Sequence, residues 1–128
     1  MRYLLDTCTF LWLAQQPSRL SVGATVALDD PAAILWLSDV TVLEISLKHS
    51  AGKLPLPGSP RHWIPEKLSY HQLERLELGL AAIYRSGELP RGHPDPFDRL
   101  LAAQAIELGL TVLTPDRAFS KLGAARLW

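Results

Sequence analysis

The sequence contains no asparagine and only one cysteine, so two common features of secreted proteins are absent. Without asparagine there is no acceptor for N-linked glycosylation, and Cys8 has no second cysteine with which to form an internal disulfide. A carboxylate at Asp6 also interrupts the N-terminus too early for a secretory signal peptide. We therefore expect a protein of the reducing cytoplasm.

Long apolar runs and an excess of charge are also lacking. Polar residues interrupt the apolar stretches within about ten residues, whereas a membrane-spanning helix needs roughly 20. The 13 Lys and Arg residues balance the 13 Asp and Glu residues, so the net charge is zero. Global electrostatics therefore do not draw this chain to nucleic acid, although a local basic rim around an acidic pocket stays possible.

What the sequence does contain is an alternation of short apolar runs with amphipathic or capped segments. Its 128 residues suit one domain, residues 1–128. Predicted strands cover residues 2–5, 33–37, 73–76 and 110–113, with an edge strand at 124–128. Predicted helices cover residues 7–14, 21–28, 40–50, 62–68, 78–86, 96–108 and 116–122. This order predicts an α/β fold with a parallel sheet covered on both faces, and ligands then bind beyond the carboxyl ends of the strands.

Four carboxylates lie where predicted strands end or helices begin. They are Asp6, Glu44, Asp98 and Asp116. A buried charge is costly unless something positive is close, and no run of Lys or Arg accompanies them. A hard divalent cation would supply that charge, and oxygen ligands favour Mg²⁺ or Mn²⁺ over zinc. The pattern therefore indicates metal-assisted chemistry on a phosphate.

Each acid also has a purely structural interpretation. Glu44 can pair with Lys48 four residues later, worth about 0.2–0.5 kcal/mol, although the apolar start of its helix indicates that Glu44 is buried. The remaining acids suit helix caps, a helix dipole or a pair with Arg117: Asp6, Asp95, Asp98 and Asp116. Four acids at one sheet edge repel each other, by several kcal/mol per pair at about 4 Å, unless cations or protons intervene. The set is therefore stronger evidence than any member.

Other chemistry-bearing residues form no pattern. The histidines show no paired metal-ligand spacing and are expected on the surface or in loops: His49, His62, His71 and His93. Cys8 has no partner for thiolate chemistry, which favours a small core residue. Neither a GxGxxG nor a GxxxxGK[ST] motif is present, so no nucleotide cofactor is indicated.

Four segments together carry a family resemblance. They are Leu4-Leu5-Asp6-Thr7, Val42-Leu43-Glu44-Ile45, residues 93–105 with the run Asp95-Pro96-Phe97-Asp98-Arg99, and Leu113-Thr114-Pro115-Asp116. In this order they resemble the PIN-domain ribonucleases, and the closest match is to the toxins of VapBC-type toxin–antitoxin systems. The similarity runs over essentially the whole chain, and the Asp-Pro-Phe-Asp-Arg segment is its most specific part.

The resemblance implies a three-layer α/β/α domain whose acidic pocket holds Mg²⁺, with Mn²⁺ as a substitute, and cleaves RNA. Asp6, Glu44, Asp98 and Asp116 match the family's acidic quartet, and Asp95 is a possible fifth ligand at the rim. The hydroxyls of Thr7 and Thr114 match positions beside the metal acids. In this mechanism one or two ions activate water for attack on phosphorus, and Asp98 or Glu44 accepts the proton.

Partners follow from the same resemblance. Family members form homodimers and are inhibited by a cognate antitoxin, and exposed Trp12 and Trp63 could line either interface, whereas Trp36 suits the core. Basic residues around the pocket could hold flanking phosphates of the RNA: Lys48, Arg91, Arg99, Arg117 and Lys121.

Rival functions use the same acids. A metal-dependent phosphatase or a DNA nuclease fits them equally well, because the metal recognises phosphate and not the sugar. A non-catalytic α/β interaction module is the third alternative. A receiver-like phospho-acceptor fits poorly, because Glu44 and Asp98 lie on helices.

Overall fold

The computed structural model describes residues 1–128 as five strands and seven α-helices that alternate along most of the chain. The strands are β1 (Arg2–Leu5), β2 (Ile34–Ser38), β3 (Glu74–Leu76), β4 (Thr111–Leu113) and β5 (Arg126–Leu127). The helices are α1 (Thr7–Gln15), α2 (Val22–Asp29), α3 (Asp39–Ser50), α4 (Pro60–Tyr70), α5 (Leu80–Glu88), α6 (Pro96–Leu108) and α7 (Ala118–Lys121). A short 3-10 turn, Pro17–Arg19, separates α1 from α2.

The five strands form one fully parallel sheet in the order β3-β2-β1-β4-β5. Strand β1 is central, with Leu4 opposite Trp36 of β2 on one side and Val112 of β4 on the other. The chain first builds outward through β2 and β3, then returns to add β4 and β5. The strand order thus reverses between β1 and β4, and such a switch point is where open parallel sheets bind ligands.

Alternate residues of β1 point into two separate hydrophobic cores. Leu4 packs in one core, with Leu101 of α6 and Phe119 of α7. Tyr3 and Leu5 belong to the other core, which contains residues of α1, α3 and α4. A sheet buried on both faces explains why its strands read as continuous apolar runs. The predicted α/β fold, with a central parallel sheet between two helical layers, is confirmed.

Helix α4 is longer than predicted. It extends over Pro60–Tyr70, with Pro60 in its first turn and Pro65 inside it, and exceeds the predicted residues 62–68 at both ends. The expectation of an exposed Trp63 is wrong, because this side chain is buried and packs edge-on against Phe10 at a ring-centroid distance of 5.7 Å. None of the helices combines the length and the apolar character needed to cross a membrane.

Trp12, the other tryptophan expected at an interface, is half-buried in α1. Its ring lies 5.8 Å from that of Trp128, and the Arg19 guanidinium sits 4.3 Å above it. These contacts hold the C-terminal residue against the first helix.

A buried hydrogen-bond network ties the sheet to α6. The Gln104 amide oxygen accepts a hydrogen bond from the Ser38 hydroxyl, and its nitrogen donates to the Glu77 carbonyl at 3.1 Å. Ser38 also caps α3 by accepting from the Val40 N–H at 2.9 Å. One glutamine side chain therefore connects the end of β2, the start of α3 and the segment after β3.

Replacing Gln104 by leucine should lower the free energy of unfolding by about 1–3 kcal/mol, because the buried Ser38 hydroxyl and Glu77 carbonyl lose their partner. Denaturant titration of both proteins measures this difference. Gln15→Leu, at an exposed position of α1, is the matched control and should change stability by less than about 0.5 kcal/mol. Equal stability of Gln104→Leu and wild type would show that the network contributes nothing.

Candidate active site at the carboxyl edge of the sheet

Asp6 is the most buried of the candidate acids, at 5% exposure. It follows β1 and caps α1 by accepting from the Thr9 N–H at 2.8 Å. Its second oxygen accepts from the Thr114 hydroxyl at 2.6 Å, across the gap between β1 and β4. Burial raises the pKa of Asp6, and these donors oppose that rise. Asp6 is therefore both a helix cap and a buried carboxylate at the switch point.

Glu44 is buried in the second turn of α3, as its apolar surroundings predict. One carboxylate oxygen accepts from the Thr7 hydroxyl at 2.7 Å, and the other pairs with the Lys48 ammonium. Glu44 is therefore both buried and paired with Lys48, as the four-residue spacing predicts. Because Thr7 directly follows Asp6, its hydrogen bond to Glu44 brings Glu44 close to Asp6.

Asp98 lies in the first turn of α6, which Asp95 caps by accepting from the Phe97 and Asp98 N–H groups. One Asp98 oxygen is 2.9 Å from His93 Nε2. Burial raises the pKa of Asp98 to about 6, the negative charges of Asp95 and Glu44 add to this, and the His93 contact opposes it. Helix α6 thus presents a carboxylate that titrates well above its ordinary range.

Asp116 is the exposed member of the quartet and follows β4. Its N–H donates to the Thr114 hydroxyl at 3.0 Å, and its carboxylate accepts from the Ala118 N–H at 2.9 Å. Of the two structural interpretations, neither is present as predicted: Arg117, and not Asp116, takes the N-cap position of α7, and no ion pair joins Asp116 to Arg117.

All four acids lie at the same edge of the sheet, linked by small side chains. Thr114 bridges Asp6 and Asp116, and the Cys8 thiol contacts Asp6 at 3.4 Å and lies in the field of Asp98. Each carboxylate is nevertheless turned toward its own partner, and no three Asp, Glu, His or Cys side chains converge closely enough to hold one ion. A cavity of about 690 Å³ lies elsewhere, between α3 and α4.

The donor chemistry at this edge suits a hard divalent cation. Carboxylates and threonine hydroxyls are oxygen donors, which Mg²⁺ and Mn²⁺ prefer. The Lys48 ammonium brings a positive charge to this edge. Its hydrogen bond to the Glu44 carboxylate raises the pKa of Lys48 most, and the charges of Asp95 and Asp98 raise it further. One ammonium group therefore lies beside the acids, paired with Glu44.

His93 and Cys8 are neighbours of the acids that sequence reasoning missed. His93 does lie in a loop, as expected, but it also contacts Asp98. Its position five residues before Asp98 and just ahead of a capped helix is the signal that could have found it. The prediction that Cys8 belongs to the core is wrong, because its thiol is only partly buried and donates to Asp6.

Arg99 was expected to hold a flanking phosphate of the RNA, but its guanidinium is engaged within the protein. Its guanidinium donates to four backbone carbonyls at 2.8–3.3 Å. These carbonyls belong to the end of α5 and the following loop: Ser86, Leu89, Pro90 and His93. The role of Arg99 is therefore to fasten that loop to α6.

Solved structures with this fold include toxin–antitoxin complexes. VapBC2 from Rickettsia felis, bound to a DNA fragment from its promoter, superposes with a TM-score of 0.70 at 16% identity, over 99% of this chain and 98% of that chain. VapBC-1 from nontypeable Haemophilus influenzae superposes with a TM-score of 0.66 at 18% identity, over 99% of this chain and 97% of that chain. At such identities these likenesses establish the fold.

Sequence comparison extends the relationship. Ribonuclease VapC22 from Mycobacterium tuberculosis is 29% identical over 115 residues, which are 89% of this chain and 86% of that protein. The family model of the PIN domain matches residues 3–125, a range that includes every acid of the edge. This chain therefore belongs to the PIN-domain family.

Proposed function

We propose that this protein is a metal-dependent endoribonuclease that hydrolyses RNA phosphodiester bonds and acts as the toxin of a toxin–antitoxin pair. The observation that carries the proposal is the edge of the sheet, where Asp6, Glu44, Asp98 and Asp116 lie together in a PIN-domain chain. Similarity to a relative named a ribonuclease, VapC22, supports RNA as the substrate class.

The acids are assigned to a Mg²⁺ site, which Mn²⁺ can also occupy. Asp6, Glu44, Asp98 and Asp116 would hold the ion directly or through water, and Asp95 would lie at the rim. When bound, the ion neutralises charge on the phosphate and lowers the pKa of a water molecule. Thr114 and Thr7 keep Asp6 and Glu44 oriented through the hydroxyl contacts described above.

The proton of the attacking water passes to a carboxylate, for which Asp98 and Glu44 are the candidates. Both oxygens of Glu44 are engaged, by Thr7 and by Lys48. Asp98 uses only one oxygen, in its contact with His93, and keeps the other free. Geometry therefore favours Asp98 as the proton acceptor.

Two protein partners belong to the proposal: a cognate antitoxin that inhibits the nuclease in the cytoplasm, and a second copy of the chain. The VapBC complexes with the same fold support an antitoxin. Support for the homodimer comes from α3 and α5, which both pack against α6. Both helices expose large apolar side chains, whose contact with water is unfavourable. These side chains are Leu43, Leu47, Leu80, Ile83 and Tyr84.

Purified wild-type protein should cut a mixed cellular RNA pool into discrete fragments with Mg²⁺ or Mn²⁺, and EDTA should abolish this cleavage. Asp98→Asn should lose roughly 10²–10⁴-fold in rate, because a metal ligand or proton acceptor is removed. Electrophoresis of the fragments measures both effects. The matched control, Asp29→Asn at an exposed position of α2, should cleave like wild type.

The possible outcomes separate the rival functions. Equal cleavage by wild type and Asp98→Asn would show that the activity lies outside this site. Cleavage of single-stranded DNA in preference to RNA would favour a DNA nuclease. Release of phosphate from a monoester without strand cleavage would favour a phosphatase, and no reaction with any metal would favour the non-catalytic module.

Stability should depend on pH through Asp98. Its folded pKa of about 6 lies above the ordinary 3.8, so the folded protein binds this proton more tightly than the unfolded chain. Ionisation between about pH 4 and 6 therefore lowers the free energy of unfolding, by about 1–3 kcal/mol for this group. In EDTA, this loss should be visible in wild type by denaturant titration, and Asp98→Asn should lack it. Parallel pH curves for the two proteins would contradict the assignment.

The proposed dimer face is tested with a charge on α3. Leu47→Glu should convert a dimer to a monomer in sedimentation or light-scattering measurements, because it places a carboxylate in an apolar interface. Val26→Glu, on the exposed face of α2, is the control and should leave the mass unchanged. A dimer that survives Leu47→Glu would place the interface elsewhere.

A further inference from the structure

A second, smaller cavity lies beside the acids and is lined by bases. Its volume is about 250 Å³, and it opens between α7 and the loop that follows α5. Arg91 and His93 line it from the loop, and Lys121 lines it from α7. Pro90 and Leu122 add apolar walls, and no carboxylate lines it. We call it the Arg91–Lys121 cavity.

The charged groups of Arg91 and Lys121 form no ion pair or hydrogen bond within the protein. Among the 13 Lys and Arg residues, most bind a carboxylate, a carbonyl, an amide oxygen or an aromatic ring. The five whose side chains make no such contact are Lys53, Arg61, Arg91, Arg117 and Lys121. Arg91 and Lys121 are the two of these that share a cavity. An unpaired pair of cations in a concave site is suited to an anion.

The wall of the cavity is held in place before any ligand arrives. Arg99 binds the carbonyls of Leu89, Pro90 and His93, which span the loop that carries Arg91. An anion that enters therefore does not have to order this segment, and ordering costs about 1–2 kcal/mol per residue.

The position of the cavity indicates which anion it meets. His93 lines it and also contacts Asp98. Ala118 lines it from the other side, and its N–H donates to Asp116. Two of the four acids assigned to the metal site, Asp98 and Asp116, therefore each contact a residue that lines the cavity.

We propose that the Arg91–Lys121 cavity binds a backbone phosphate of the RNA strand next to the phosphate that is cleaved. This inference rests on the proposed function and deepens it, since it names where the substrate is held. The cavity recognises the phosphate charge and not the base, so it positions the strand without choosing its sequence. It also supplies local positive charge beside the acids in a chain whose net charge is zero.

RNA binding tests the cavity separately from cleavage. The probe is a fluorescein-labelled, mixed-sequence single-stranded RNA, and the protein carries Asp98→Asn so that the probe stays intact. Adding Arg91→Gln and Lys121→Gln should weaken binding roughly 3–30-fold at low salt and reduce the slope of log affinity against log salt by about 0.7, the value for one phosphate of a single strand. Arg91→Lys with Lys121→Arg, which keeps both charges, should retain the wild-type slope.

The matched control is Arg61→Gln with Lys53→Gln, which removes two equally unpaired charges outside the cavity and should change the slope little. Mn²⁺ binding measured by calorimetry on the chain with Asp98 intact should be the same with and without the cavity substitutions. If the cavity variants bind RNA like the control, this inference is overturned. If wild type still cleaves RNA in that case, the proposed function stands. A wild-type protein that neither binds nor cleaves RNA overturns both.

Discussion

The carboxylate of Asp6 is the constraint around which the rest of the site is arranged. It is buried where β1 meets α1, so it needs donors from the chain itself, and the Thr9 N–H and the Thr114 hydroxyl provide them. The first fixes the start of α1, and the second fixes the end of β4 against β1. A single buried carboxylate therefore links β1, the start of α1 and the end of β4 at the point where the sheet order reverses.

The other acids are accommodated by different means, which keeps mutual repulsion from unfolding the edge. Glu44 is neutralised by Lys48, Asp98 is held by His93 and titrates at a raised pKa, and Asp116 remains exposed. Each solution leaves negative potential in the same small region. Under the proposed function, a cation bound there would relieve this repulsion, and occupancy of the site would then be coupled to stability.

Local chemistry made much of the fold predictable. Helix α6 has its predicted bounds because Asp95 caps it, Pro96 opens it and Gly109, at a φ of 66°, ends it. Three of the acids were visible because each follows a strand or lies in the first turn of a helix, and Glu44 was visible because it interrupts the apolar start of its helix. The contact of His93 with Asp98 and the loop-fastening role of Arg99 were not, since both depend on the path of the loop after α5. Burial of Trp63 likewise follows from how α4 packs on α1, which no local pattern encodes.

The way Arg99 holds that loop has a consequence for how the protein can diversify. Its guanidinium grips carbonyl oxygens, which every residue carries, and it sits next to Asp98 on the same helix. The conformation of the loop therefore does not depend on most of its side chains. Under the proposed function, substitution at Arg91 would change how strongly the loop holds a strand of nucleic acid without displacing Asp98. The affinity for the strand and the hydrolytic residues would then evolve independently.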